Sequence, residues 1–371
     1  MKKVLTYMMA MMMLLLTACS SSDTTEEPQP VQSQPTILTI YVYSPEHPLM
    51  TRADVGPVNA SEAENKVTQL QLWIYDTSGN KVGYLNTTET ATLNSGAGAV
   101  YQIPVSVEFA QNKPNVDVYV LANVTTGNCG INAPFAESTS RDALLDDAKI
   151  ATAHYGLSPL TTAVPDVGLP MAGSLKNQPV VGDAPVLRIG STEQIAIAPL
   201  TRAVSKLRFF FANTTGASAL NITGITLKEQ TIPTEEYLFP QAQTLTYNSE
   251  VAPLLANPIE AVVEKGAPAE YVYNGQTAQA YESLMVGANL SQAGPYYLRE
   301  SEKLLEGTIS YTVDGVAQTP ATFKMKELGD FRRNHSWIVY AYYEGLSGMQ
   351  IVTVDVTPWN ETNDNHEVYN W

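Results

Sequence analysis

The side chain with the clearest chemistry is the Cys19 thiol. Lys2 and Lys3 lead an apolar run from Val4 to Leu16, and Leu16-Thr17-Ala18 then sets small residues directly before Cys19. A positive start, a short apolar core and a small-residue cut site make a secretory leader over residues 1–18, because a bilayer span wants ~20 apolar residues. The order Leu-Thr-Ala-Cys looks like a bacterial lipobox, so the expected reaction is acylation of Cys19 as the new first residue. An ordinary leader with a coincidental cysteine is the alternative.

No other reactive constellation is visible. His47, His154, His335 and His366 are scattered, without the spacing that puts two imidazoles on one metal. There is no G-x-S-x-G elbow and no phosphate-binding loop, and Gly96-Ala97-Gly98 reads as a turn. Asn360, Thr362 and Asp364 lack the glycine and terminal glutamate of a calcium loop and read as a solvated tail. Asp146-Asp147 reads as a solvated pair on a short helix. Neither an enzyme nor a cofactor nor a metal site is expected, although paired carboxylates assembled in space escape a sequence reading. Cys129 has no second cysteine to pair with once Cys19 is acylated, so packing must supply the stability.

The elements that surround these residues are strands. With 371 residues the chain is long enough for two domains at ~100–200 residues each. Its 44% hydrophobic content can build cores, and 23 Gly, 23 Pro and 20 Tyr with many Thr and Val favour strands and turns. A net charge of −16 with no basic patch argues against nucleic acid as a partner.

Residues 19–36 form a polar tether that cannot offset the entropy of ordering. Ile37 to Tyr43 is a strand with Leu38, Ile40 and Val42 on one face. Pro45 and Pro48 end it, and Thr51-Arg52-Ala53 lies in the loop beyond. Further strands are expected at Val67–Tyr75, at Val105, Val107 and Phe109, and at Val116, Val118 and Val120. A hairpin turn is expected at Asp76–Asn80 and a capped helix between Ser140 and Ala148. An interdomain boundary near Pro199 divides residues 53–198 from 199–348, and strands recur at Ile222–Leu227, Tyr271–Tyr273, Gly307–Val313 and Trp337–Tyr343. Residues 349–371 close the chain with Ile351–Val356, where Val352, Val354 and Val356 share one face.

The order of these features resembles the fimbrillin family, the shaft subunits of type V pili. The residues that carry the resemblance are the lipobox, the tether and first strand, Thr51-Arg52-Ala53, and Pro199-Leu200-Thr201-Arg202-Ala203-Val204-Ser205-Lys206. Arg333-Asn334-His335 and Val354-Asp355-Val356-Thr357-Pro358-Trp359 complete the set. The resemblance implies two tandem transthyretin-like β-sandwiches, a mainly β fold. It implies export as an outer-membrane lipoprotein precursor, a cut between Arg52 and Ala53 by an arginine-specific surface protease, and loss of the first strand. Another subunit's strand then fills the groove, so the implied partners are other copies of the chain and accessory pilins in a surface fimbrium that supports adhesion. Thr201-Arg202-Ala203 repeats the tripeptide but runs straight into the strand at Leu207, and it is expected to stay uncut.

Leu38, Ile40 and Val42 would form the removable strand, and Val352, Val354 and Val356 present three aliphatics at identical spacing as candidate donors. Residues 351–356 could instead close their own sandwich, leaving only the last residues to donate. Two other readings stay open. One is an uncleaved anchor or accessory subunit that keeps Cys19 in the membrane. The other is a glycan-binding surface lipoprotein, for which the tyrosines and four tryptophans would form stacking platforms.

Overall fold

Strand β1 (Thr36–Tyr43) shows the alternation its residues predict. Leu38, Ile40 and Val42 are fully buried, while Ile37, Thr39, Tyr41 and Tyr43 are half-buried on the opposite face. The computed structural model describes residues 36–43, 61–94, 98–216, 218–241, 244–263, 290–325, 331–356 and 368–370. The described chain is mainly β and sandwich-like.

The N-terminal sandwich has two five-stranded sheets. In the first, β1 lies between β4 (Ala99–Val105) on one side and β9 (Val186–Ile189) and β10 (Ile197–Pro199) on the other, with β8 (Val180–Asp183) outside β9. The second runs β3 (Lys81–Thr87), β2 (Leu70–Asp76), β5 (Val116–Ala122), β7 (Met171–Gln178) and β11 (Thr201–Arg202). Their facing side chains make one core, in which Leu38, Ile40, Val42, Ile103, Leu187 and Ile189 meet Leu70, Leu72, Ile74, Val116, Val118 and Val120.

The C-terminal sandwich pairs a sheet centred on β12 (Ser205–Asn213) with one centred on β13 (Leu220–Leu227). In the first sheet β22 (Ser336–Tyr343) runs parallel to β12, and β23 (Met349–Val356) and β24 (Val368–Asn370) continue outward. On its other side β12 meets β17 (Val262–Val263) and β18 (Ser291–Leu298). The opposing sheet joins β13 to β19 (Glu306–Val313), with β15 (Ala252–Pro253), β16 (Ile259–Glu260), β20 (Val316–Ala317) and β21 (Ala321–Lys324) at its margins. Phe209, Phe211, Trp337 and Val339 pack there against Ile222, Ile225, Ile309 and Phe323.

A third apolar cluster covers the outer face of the second N-terminal sheet. Trp73, Tyr75, Tyr119 and Leu121 meet Cys129, Phe135, Leu144 and Tyr155, and also Ala203, Val204, Leu238, Phe239 and Tyr297 from the C-terminal side. This explains why β2 is buried at nearly every position rather than at alternate ones. Two short strands, β6 (Lys149–Ile150) and β14 (Glu236–Tyr237), pair across the same seam.

Two expectations are corrected in detail. Val105, Val107 and Phe109 do not form one strand: β4 ends at Val105 and a helix runs over Val107–Asn112. The Ser106 hydroxyl accepts a hydrogen bond from the Phe109 amide at 3.1 Å, an N-cap that turns the chain and leaves Val107 exposed. Strand β2 begins at Leu70 rather than Val67. The Val67 amide donates to Asn94 Oδ1 at 2.7 Å and the Thr68 amide to Asn123 Oδ1 at 2.9 Å, so side chains replace the ladder there. The expected helix is present at Arg141–Asp147, N-capped by Ser140, with Asp146 and Asp147 exposed. The expected strand at 271–273 lies outside the described residues.

Candidate functional site

The site is the slot that β1 fills. One wall is continuous, since β4 pairs antiparallel with β1 from Thr36↔Val105 to Val42↔Ala99. The other wall is broken. Strand β9 pairs parallel with Ile37–Thr39 and β10 with Tyr41–Tyr43, so no registered partner faces Ile40 on that side. Between β9 and β10 the chain makes an excursion closed by Ala196 N donating to Ile189 O at 2.7 Å. Gly190 starts that excursion with φ +125°, and a Cβ there would lie 2.3 Å from Gln194 O, so the break depends on a glycine.

The floor of the slot is graded. Leu38 sits between Ile103 and Leu187, whereas Val42 sits between Ala99 and Ala198. Burying three such aliphatics gives a gross gain of ~5–9 kcal/mol, and the ladder bonds on both edges add ~0.5–1.5 kcal/mol each. Taking β1 out would expose an apolar groove and two unpaired strand edges, a costly state until another strand pairs with them. At the far end the Leu200 amide donates to Tyr43 O at 3.0 Å, which ties β1 to the segment leading out of the sandwich.

That segment is the first of two motifs that meet at the seam. The Asn334 amide donates to Val204 O and the Lys206 amide to His335 O, both at 2.9 Å, and Ser205 Oγ donates to Arg332 O. Arg202 is fully buried; its Nε donates to Glu64 O at 3.1 Å and its Nη1 to Asn334 Oδ1 at 2.9 Å. Arg333 donates to Tyr237 O and Leu238 O at 2.8 Å each and pairs with Glu300 and Glu236. Thus Thr201–Lys206 and Arg333-Asn334-His335, far apart in the chain, form one polar joint.

At the centre of the joint Lys206 Nζ lies 3.0 Å from Glu64 Oε1, both side chains almost wholly buried. Burial pulls the Lys206 ammonium down, Arg208 adds to this and Glu64 opposes it, leaving Lys206 at about 7. Burial raises Glu64, but Lys206, the Tyr297 hydroxyl and the Ser61 amide outweigh it and hold the carboxyl below its usual value. Burial drives Glu236 well above the usual carboxylate range against the pull of Arg333. Nothing in the sequence marks Glu64 for this role, because its partner is 142 residues away.

The candidate donor strand sits in its own sheet. Strand β23 pairs antiparallel with β22 from Ser336↔Val356 to Tyr343↔Met349, and β24 pairs with Val352, Thr353 and Val354. Ile351 is buried in the C-terminal core. Cys19, Arg52 and Ala53, with His47 and His366, lie outside the described residues. Cys129 is buried, and burial raises its thiol to about 12. Among the described residues no group of acidic, His or Cys side chains is arranged to hold a metal.

Comparison with known protein families matches residues 48–184 to the major fimbrial subunit protein (FimA). No curated protein matches the chain. Among solved structures, a fimbrial assembly protein from Parabacteroides distasonis is 13% identical with a TM-score of 0.49, covering 91% of this chain and 98% of that one. The tip fimbrial protein Mfa3 from Porphyromonas gingivalis, with a C-terminal truncation, is 12% identical with a TM-score of 0.49, covering 91% of this chain and 99% of that one. The fimbrial anchor protein Mfa2 from the same organism is 9% identical with a TM-score of 0.34, covering 91% and 96%. Residues 48–184 are thus similar to the major fimbrial subunit family, which agrees with the fimbrillin resemblance.

Proposed function

We propose that this chain is a structural subunit of a bacterial surface fimbrium that assembles by strand exchange at the β1 slot and supports cell adhesion. It is exported as a lipoprotein acylated at Cys19, and an arginine-specific surface protease cuts after Arg52. The cut frees β1 with the lipid, and a strand from the next subunit takes its place beside β4, β9 and β10. The observation that carries this reading is the position of β1. It is the first described strand, flanked on both sides and fully buried along one face, with Arg52 nine residues beyond its end at Tyr43. Its alternation matches that of Val352, Val354 and Val356.

The pairing of β23 with β22 along its whole length favours a second version of the same reading. In it β23 stays in its own sandwich, and residues after Val356 are donated. Trp73 and Trp337, the tryptophans among the described residues, are both buried, which leaves the glycan-binding reading without a stacking platform from them.

The test is to treat purified precursor with an arginine-specific protease and follow oligomers, comparing wild type with Arg52→Ala. The expected result is a ladder of oligomers beginning at Ala53 for wild type and monomers for Arg52→Ala. Equal polymerisation of both proteins contradicts cleavage at Arg52. Surface material that retains acylated Cys19 supports the anchor role instead.

A further inference from the structure

We propose that Glu64 is a fixed post: it keeps residues 61–65 seated on the C-terminal sandwich when the chain upstream of Ser61 is cut, so that β1 can leave while the two sandwiches stay docked. The inference rests on the strand-exchange reading and names the residue that positions the downstream side of the cut. The helix Glu62–Asn65 is a single turn, too short to hold itself. It has a capping box, in which the Glu64 amide donates to Ser61 Oγ and the Ser61 amide donates back to the Glu64 carboxylate. The side chains that hold the Glu64 carboxylate come from the other sandwich, Lys206 on β12 and Tyr297 on β18, and Arg202 on β11 holds its carbonyl from the N-terminal side of the seam. The Glu64 carboxylate accepts from Lys206 Nζ at 3.0 and 3.2 Å and from the Tyr297 hydroxyl at 2.7 Å, and the Glu64 carbonyl accepts from Arg202 Nε at 3.1 Å.

Strand β1 is held in a different way. It pairs with β4, β9, β10 and the Leu200 amide, and its buried side chains belong to the N-terminal core. The upstream side of the cut is therefore an exchangeable strand in one sandwich, and the downstream side is a buried ion pair on the other. An acid buried to 2% exposure is costly unless its charge is met, so a chain that keeps Glu64 paired has a reason to keep this turn in place.

The test is hydrogen exchange at the amides of Glu64, Asn65 and Lys66, read by mass spectrometry on the full chain before and after the cut. Wild type is compared with Glu64→Gln and with the milder Glu64→Asp. The cut is made at Arg52, and separately in a chain carrying an inserted site for a protease of different specificity within residues 48–57. In the uncut chain the covalent link holds the segment near its seat, and Glu64→Gln lowers protection less than about tenfold. In the cut chain it lowers protection roughly a hundredfold, the scale on which removing one partner of a buried pair acts. Glu64→Asp falls between. An equal loss in cut and uncut chains overturns the proposal, and so does a cut Glu64→Gln protein that stays as protected as wild type. If only the inserted site is cut, the Arg52 reading fails while the Glu64 comparison is still answered.

Discussion

Strands β1 and β23 carry the same pattern, three aliphatics at every second residue, yet they are built into their sheets in opposite ways. Strand β23 is joined to β22 through a short turn closed by Glu344 N donating to Gly348 O at 3.0 Å, so the pair is a local hairpin. Strand β1 pairs with segments far along the chain: β4 about sixty residues later, and then β9 and β10 nearer the middle of the sequence. A hairpin strand is restored by its own turn whenever it leaves. A strand that depends on distant partners is restored only while the chain is intact, because after a cut its return is a bimolecular event. On the strand-exchange proposal this difference suits β1 to be the strand that is replaced, and β23, or the residues after it, to be the part that stays covalently attached to its subunit.

The largest expected effect separates the two strands directly. Leu38→Ala should destabilise the uncut subunit by about 2–5 kcal/mol, the usual cost of emptying a buried leucine site. On the strand-exchange proposal it should leave the assembled polymer unchanged, because another strand fills the slot there. Ile351→Ala, also buried, should cost a comparable amount in both states. Thermal or chaotrope unfolding of subunit and polymer reads both, and a Leu38→Ala penalty that persists in the polymer breaks the comparison.

Next in size is Gly190→Ala, which places a Cβ against Gln194 O and Ala196 N at a φ suited to glycine. A loss of about 1–3 kcal/mol is expected. It should appear in subunit and polymer alike, because the broken wall is used by whichever strand fills the slot.

A smaller effect concerns the joint. Burial holds Lys206 at about 7 against an ordinary 10.5, with Arg208 and Arg202 adding to the shift and Glu64 opposing it. The folded chain then binds fewer protons than the unfolded chain between those values, so this group makes stability rise with pH across that window. Lys206→Met should flatten that part of the stability profile, and an unchanged slope would show that the ammonium is not displaced. The smallest effect is expected for Tyr41→Ser on the outer face of β1, where the ring stacks on Tyr43 at 6.3 Å. A change within about 0.5 kcal/mol is expected, as for other surface sites.

How much of the molecule is legible in its sequence depends on the range of the physics involved. The strand at Leu38, Ile40 and Val42 is legible because a period of two along eight residues is a local signal, and one face buried beside one half-buried is its direct result. Val107 and Phe109 carry the same alternation, but there the Ser106 cap, a single hydrogen bond, outweighs it and a helix forms. Alternation in β2 suggests an outer face at Trp73. That face is covered by Phe135, Tyr84 and the third cluster, which only the fold brings there. Thr201–Lys206 and Arg333-Asn334-His335 are visible as motifs, but their bonding to each other is not. Glu64 carries only the local Ser-x-x-Glu signal of a helix start, and its pairing with Lys206 on a distant strand is not legible.

If strand exchange is the route of assembly, the β1 slot accepts a strand in trans once the chain is cut. The most direct measurement is the binding of a labelled peptide spanning residues 349–371 to the subunit before and after cleavage, with a peptide spanning residues 36–52 as competitor. The account predicts capture by the cut protein, displacement by the competitor and no capture by the uncut protein. Capture that is equal before and after the cut, or absent after it, would contradict the account.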